Sequence, residues 1–363
     1  MKVAFVHEFL TQLGGAEKVL EALCELFPDP PIYTLVYDKN KTGAVFGKRD
    51  IRTSFVQKLP FGISKYKWYL VFYPKAIESF DLSEYDLIIS DSSAFAKGAI
   101  RAKNAVHICY CHTPTRYLWQ IPDFYVKTAK IPWPITKIMP MVLNWLKKWD
   151  FKAAQRPDHF IANSQEVQER IKTYYHRDSE IIYPFVDFNQ FALSKNTKNY
   201  YLLAGRIVPY KRYDIVIRAF DKLGLPLKVV GSGYGLEDLK KIAKSDKIEF
   251  VGWVPDSEKI KYLGGAKALI FPAEEDFGIV MLEAMASGCP VIAFKKAGAL
   301  EIVREGINGM FFDNQTSESV IEAIKKFNPK RFDPRLIRQS SLKFDKKIFQ
   351  EKIKKFILGH INM

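Results

Sequence analysis

The sequence predicts an α/β protein built as two parallel-sheet domains, and three observations carry that prediction. Short apolar runs alternate with segments of helical periodicity along the chain, the pattern of strands joined by crossover helices. The runs form two series, residues 2–7, 86–91, 105–111 and 159–162, then 200–204, 227–230, 248–251, 268–271 and 291–294, so two sheets fit better than one. A chain of 363 residues is also long enough for two domains of about 150 to 200 residues each.

Taken in order, the first run, Val3 to Val6, follows Lys2 and is ended by His7 and Glu8. It is too short for a signal-peptide core and reads as a buried strand. The longest apolar stretches, 68–72 and 139–145, fall well short of the roughly 18 residues needed to span a bilayer, so no transmembrane helix is expected. Residues 184–199 carry Pro, Asn, Ser and Lys without sustained periodicity. A linker is therefore expected at 186–199, between domains at 1–185 and 200–342, with a cleft between the two. The last segment, 343–363, places Ile348, Phe349, Ile353, Phe356 and Ile357 near helical spacing among lysines, which predicts a basic amphipathic helix. No low-complexity tract or long-period repeat occurs.

Cys24, Cys109, Cys111 and Cys289 are scattered through apolar segments, which argues against a disulfide framework and for a reducing compartment. The Cys109/Cys111 pair has no second pair at ligand spacing, so both read as core thiols and no metal is expected. The formal charge of +15 predicts attraction to phosphate-rich partners.

Four segments carry candidate chemistry. Residues 275–283 place Glu275 and Glu283 on either side of Gly278, which opens an apolar helical pattern running to Ala286. A helix starting there would offer free N–H groups and a positive dipole end to a diphosphate, with the two carboxylates addressing sugar hydroxyls; the alternative is a solvated Glu275 and an ordinary helical Glu283. The turn Gly205-Arg206-Ile207-Val208-Pro209-Tyr210-Lys211-Arg212 follows a strand and precedes a helix beginning near Tyr213, a place where open parallel sheets bind ligands. Arg206 suits phosphate oxygens as a fork and Lys211 as a point charge, unless the turn is simply solvated. Gly14 and Gly15 form a second glycine turn at a helix start, without the G-x-G-x-x-G spacing of nicotinamide enzymes. His112 ends a strand where a side chain would project toward the cleft, a candidate sugar contact unless, like most lone histidines, it is structural.

These four segments, in this order, resemble the retaining glycosyltransferases of family 4, which have the GT-B fold of two Rossmann-like domains facing each other across a cleft. The resemblance spans nearly the whole chain and extends to Glu283-Ala284-Met285-Ala286-Ser287-Gly288. Val6 to Leu10, His112 to Trp119 and Pro272 to Gly278 are similar to bacterial O-antigen and exopolysaccharide mannosyltransferases. The resemblance implies that His112, Arg206, Lys211 and Glu275 are catalytic. It implies donor contacts from Gly14, Gly15, Arg206, Lys211, Trp253, Val254, Glu275, Phe277, Gly278, Ile279, Val280 and Glu283, with Glu283 on the ribose and the segment 250–254 under the base. It also implies a C-terminal helix returning to the first domain. Met281 departs from the Pro or small apolar residue of many relatives, a change expected to affect packing more than chemistry.

No Asp-x-Asp pattern occurs, so a metal-independent transferase without a cofactor is expected, its substrate a nucleotide sugar, GDP-mannose being the leaning and a UDP-sugar the alternative. Residues 48–75 hold seven Lys or Arg against one acid, interleaved with Phe55, Phe61, Tyr66, Trp68, Tyr69, Phe72 and Tyr73. Residues 127–156 repeat the bias, seven against one, with Trp133, Trp145 and Trp149. Such segments suit an anionic leaflet, which implies a lipid-linked saccharide acceptor and a place at the cytoplasmic face of the inner membrane, unless the aromatics are core and the lysines an ordinary solvated face. The rival non-enzyme reading is nucleic-acid binding through the same charge, which would leave the ordered carboxylates and glycine turns unexplained. An epimerase would need no acceptor, and a phosphorylase would need a pyridoxal lysine. Oligomeric state is not legible.

Overall fold

The computed structural model describes residues 1–120, 137–193 and 199–361. The chain divides into two compact units, Met1–Tyr183 with Gln350–Met363, and Pro184–Phe349.

The first unit is built on a parallel sheet whose described strands are β1 (Val3–Leu10), β2 (Ile32–Tyr37), β3 (Ile51–Thr53), β4 (Leu87–Ser92), β5 (Val106–Cys111), β6 (His159–Ala162) and β7 (Glu180–Ile181). Their order is β3-β2-β1-β4-β5-β6-β7. The chain runs outward one way from β1 and then the other way from β4, so a topological switch point lies at the carboxyl ends of these two neighbours. The second unit repeats the scheme with β8 (Tyr201–Ala204), β9 (Leu227–Val230), β10 (Ile248–Gly252), β11 (Leu269–Phe271), β12 (Val291–Phe294) and β13 (Gly309–Phe312), in the order β10-β9-β8-β11-β12-β13. Its switch point lies between β8 and β11.

Every strand expected from the sequence is present within one or two residues at its ends, save that β1 continues to Leu10. His7 and Glu8 do not end it, because both are buried and find partners on β4 and the loop that follows. Four strands went unread. β2 contains Thr34, whose hydroxyl is buried and bonds to Glu8 O at 3.1 Å, so a polar residue interrupts its apolar run. β3 and β7 are short edge pieces, and β13 opens on a glycine.

The expected linker is corrected. Residues 186–193 belong to the second unit, where Val186 bridges to Asp345 and Arg338 donates to Phe188 O and Phe191 O, while 194–198 lie outside the described residues. The closing helix spans Lys346–Ile361, and from Gln350 onward it belongs to the first unit. There Gln350 donates to Ala22 O and Glu25, and Ile353, Phe356 and Ile357 are buried, each worth about 1.5–3 kcal/mol by area. The four cysteines are buried and unbridged. Among the described residues no helix is long and apolar enough to cross a membrane.

Candidate functional site

In the second unit the two motif loops leave the adjacent strands β8 and β11 at the switch point. After β8, Gly205 takes φ +131°, the chain makes one 3-10 turn over Pro209–Lys211, and Arg212 adopts the left-handed conformation before the helix Tyr213–Leu223. Tyr213 Oη donates to Ala204 O at 2.9 Å and pins the turn against its own strand. The neighbouring segment Gly231-Ser232-Gly233-Tyr234-Gly235 braces it from the side, since Ile207 N donates to Ser232 O at 2.8 Å. Gly233, at φ +156°, lies so close to Ile207 O that a Cβ would overlap it.

This bracing brings Lys211 Nζ to 2.7 Å from Glu275 Oε1 on the β11 loop, with both side chains largely buried. Burial opposes the ammonium, but Glu275, with smaller help from Tyr213 and Tyr210, outweighs it and holds the pKa above the ordinary lysine value. The cation is therefore permanent at any working pH. The Glu275 backbone is fixed by Gly298 N, which donates to its carbonyl at 3.0 Å. Arg206, on the same turn, is exposed, and its charge is felt by Tyr234 on the bracing segment.

Three residues on, Gly278 takes φ +94° and ψ 62° as N-cap of the helix Ile279–Ala286. A Cβ there would be strained in φ and would meet Met281 Cε at 2.6 Å and Phe271 Cζ at 2.9 Å. Met281 is thus the packing partner of the glycine, buried beneath the turn. No side chain caps this helix, so the first-turn N–H groups of the half-buried Ile279 and Val280 have no side-chain acceptor, the condition under which a helix start suits an anion. Glu283 lies one turn inside, buried, and accepts from Lys259 Nζ at 2.9 Å. Lys259, which also pairs with Asp256, was not singled out from the sequence, where it is one of many lysines. Trp253, on the loop after β10, is 72% exposed, and Val254 is half-buried. Phe277 is buried, its ring centroid 5.6 Å from that of Phe344.

In the first unit the switch point holds a charged cluster. His7 on β1 lies opposite Asp91 on β4 in the strand register, and His112 N donates to Ser92 O at the end of β5. Asp91 Oδ1 lies 2.6 Å from His112 Nε2, and Asp91 Oδ2 lies 2.9 Å from His7 Nδ1. Burial opposes charge on each of the three. It is outweighed in each case, so both histidines titrate above the ordinary value and Asp91 below its own. The raised histidines favour the fold at low pH and lose that contribution as pH rises through their folded pKa, whereas Asp91 contributes above its ordinary pKa and loses it in acid. His107, on β5, shows the contrasting structural case: burial pushes it down to about 3 and its Nε2 pairs with Ser90 Oγ.

The glycine turn departs from expectation in one respect. Glu17, at the third helical position, reaches back to the Gly14 N–H at 2.8 Å, so that donor is occupied and the turn's free N–H groups begin at Gly15. Glu8 organises the loop after β4, accepting from Ser92 Oγ and from the N–H groups of Ser93, Ala94 and Ala96.

Residues 13–190 match the family described as Glycosyltransferase Family 4, and residues 186–337 match Glycosyl transferases group 1. The chain belongs to glycosyltransferase family 4. The mouse alpha-1,3/1,6-mannosyltransferase ALG2 is 26% identical to this glycosyltransferase over 90% of the chain and 87% of its own length. The GDP-mannose-dependent alpha-(1-6)-phosphatidylinositol monomannoside mannosyltransferase of Mycobacterium tuberculosis is 32% identical over 33% of the chain and 36% of its own length. Anabaena HepE in complex with UDP superposes with a TM-score of 0.72 at 18% identity, covering 99% of this chain and 100% of its own. The sucrose-phosphate synthase of Thermosynechococcus elongatus reaches 0.77 at 16%, covering 98% of both. The fold of this glycosyltransferase is accordingly GT-B.

The basic aromatic segments of this family 4 glycosyltransferase divide between core and surface. Tyr73 is buried, Phe55, Tyr66 and Tyr69 pack on the core, and Trp149 lies against Phe95 at 5.5 Å, so none of these is free to dock. Phe61, Trp68 and Phe72 are exposed, with Lys65 Nζ over the Phe61 and Trp68 rings, and Met141 and Trp145 are exposed on the helix Met139–Ala153. Lys127, Lys130 and Trp133 lie outside the described residues.

Proposed function

We propose that this glycosyltransferase moves mannose from GDP-mannose to a lipid-linked saccharide, with retention and without a metal. The observation that carries the donor site is the Lys211–Glu275 pair beside the uncapped helix start at Gly278, where a lasting cation and N–H groups without a side-chain cap suit a diphosphate leaving group. In this reading Arg206 and Lys211 hold the diphosphate, Glu275 and His112 contact the transferred sugar, and Glu283 accepts from the ribose hydroxyls. Trp253 and Val254 lie at the base. The anomeric carbon–phosphate oxygen bond breaks with its electron pair leaving on the diphosphate. The acceptor hydroxyl bonds on the same face, and its proton passes to a phosphate oxygen.

Mannose is supported by the mannosyltransferase relative that spans 90% of the chain. A UDP-sugar is the second reading, since HepE is known with UDP-glucose bound. Thermal-shift measurements against GDP-mannose, UDP-glucose and UDP-N-acetylglucosamine, followed by product analysis with acceptor, separate the two. Stabilisation by GDP-mannose alone is expected, and stabilisation by a UDP-sugar alone overturns the mannose assignment.

For the acceptor, the exposed Phe61, Trp68, Phe72, Met141 and Trp145 among basic residues suit an anionic leaflet, each lysine near the surface adding about 1 kcal/mol. The protein is expected to float with phosphatidylserine vesicles at low salt and to be released at high salt. No association at low salt would count against a peripheral membrane acceptor.

A further inference from the structure

We propose that Asp91 is the positioning residue for His112: it takes the ring by Nε2 with one carboxylate oxygen while His7 holds the other, and so fixes Nδ1 as the nitrogen presented to the sugar. This rests on the reading of His112 as a sugar contact and adds the residues that make that contact directional.

Parallel register sets His7 and Asp91 opposite each other on β1 and β4, and His112 is the first residue beyond β5, bonded through its N–H to Ser92 O. The three side chains therefore meet from three neighbouring strands at the switch point. Asp91 is fully buried, so its oxygens are satisfied by the two imidazoles at 2.6 and 2.9 Å. A carboxylate so placed persists only with charged or donor partners. The far nitrogen of His7 lies 3.8 Å from Glu17 Oε1, and the other Glu17 oxygen accepts the Gly14 N–H. A continuous polar chain thus runs from His112 to the glycine turn. Tyr110 packs edge-on to the His112 ring at 5.2 Å and opposes rotation.

The charged and titratable groups around the ring are His7 and Glu8 from β1, Glu17 from the helix Gly15–Cys24, Asp91 from β4 and Tyr110 from β5. Cys24 stands near Asp91 but is pushed up to about 12 by burial, so it carries no charge. Burial opposes the His112 cation, Asp91 outweighs it, Glu8 assists and His7 opposes. Asp91 favours the protonated ring, in which Nδ1–H is a charge-assisted donor toward a hydroxyl. Without the carboxylate, burial acts almost unopposed and the pKa falls below its ordinary value of about 6.5.

The test is a nitrogen-resolved histidine titration of the full chain with Asp91→Asn alongside it. In the wild type His112 should titrate above about 6.5 and keep its proton on Nε2 when neutral. In Asp91→Asn the titration should move down, and transfer at pH 8 should fall by about tenfold or more, with a smaller deficit at pH 6 and an unchanged donor KM. A wild-type His112 that titrates at or below the ordinary value overturns the proposal with no variant needed, even if Asp91→Asn does not fold. An unmoved titration in folded Asp91→Asn overturns it as well. Unimpaired turnover in His112→Ala overturns the sugar-contact reading, a result distinct from either titration.

Discussion

Lys211→Ala is expected to lower turnover at saturating donor by on the order of 10²–10³, the effect of removing one preorganised donor from the oxygen that gains charge in the transition state. Its Nζ is held at 2.7 Å from Glu275 by the braced turn after β8, so little reorganisation is needed when a diphosphate arrives. A structural ion pair alone would act on stability. The variant also strands Glu275 in a largely buried place, so Lys211→Ala/Glu275→Gln and Glu275→Gln alone should be measured beside it, the single variant giving the share of the loss that belongs to the sugar contact at Glu275. Turnover should stay low in the double variant. Near-normal rates in Lys211→Ala would remove Lys211 from the reaction.

Asp150→Ala is expected to destabilise the first unit by about 3–5 kcal/mol, the cost of leaving one partner of a buried ion pair uncompensated. The fully buried Asp150 accepts from Lys97 Nζ at 2.6 Å, Thr115 Oγ1 at 2.7 Å, and Trp119 Nε1 and Tyr175 Oη at 2.8 Å each. Lys97 is equally buried, and its ammonium has no water to turn to. For a unit of this size the loss corresponds to a fall in Tm of roughly 6–20 °C by calorimetry. Replacing both partners with apolar residues, Lys97→Met with Asp150→Leu, should recover much of it, because the stranded charge is then absent. A shift under about 1 kcal/mol in Asp150→Ala would show that the hub is better hydrated than its burial indicates. Thr115 and Trp119 follow His112 closely, so the same substitution should also reduce transfer.

Asp150 also shows where reading the sequence stopped. In a stretch of seven basic residues it counts as one stray acid on a solvated face, whereas in the structure it is the centre of a buried hub. The basic counts of the two segments remain true, but Phe55, Tyr66, Tyr69, Tyr73 and Trp149 turn inward, while Phe61, Trp68, Phe72 and Trp145 stay exposed. His7 and Glu8 are similar: beside an apolar run they look like its end, yet the strand continues through them because Asp91 and the backbone amides of the loop after β4, more than eighty residues away, satisfy both. Lys259 is indistinguishable from its neighbours until the fold sets it on Glu283.

What the sequence determined by itself was what short-range preference governs: nine of the thirteen described strands, the helix starts at Gly278 and near Tyr213, and the terminal helix. Those features follow from apolar periodicity and from glycines needed at positive φ, which act within a few residues. The tertiary structure alone decided which charges are buried and what each one faces. Those pairings join different strands, and a buried charge is tolerated only where the sheet order delivers its partner, a condition that no local window of the chain contains.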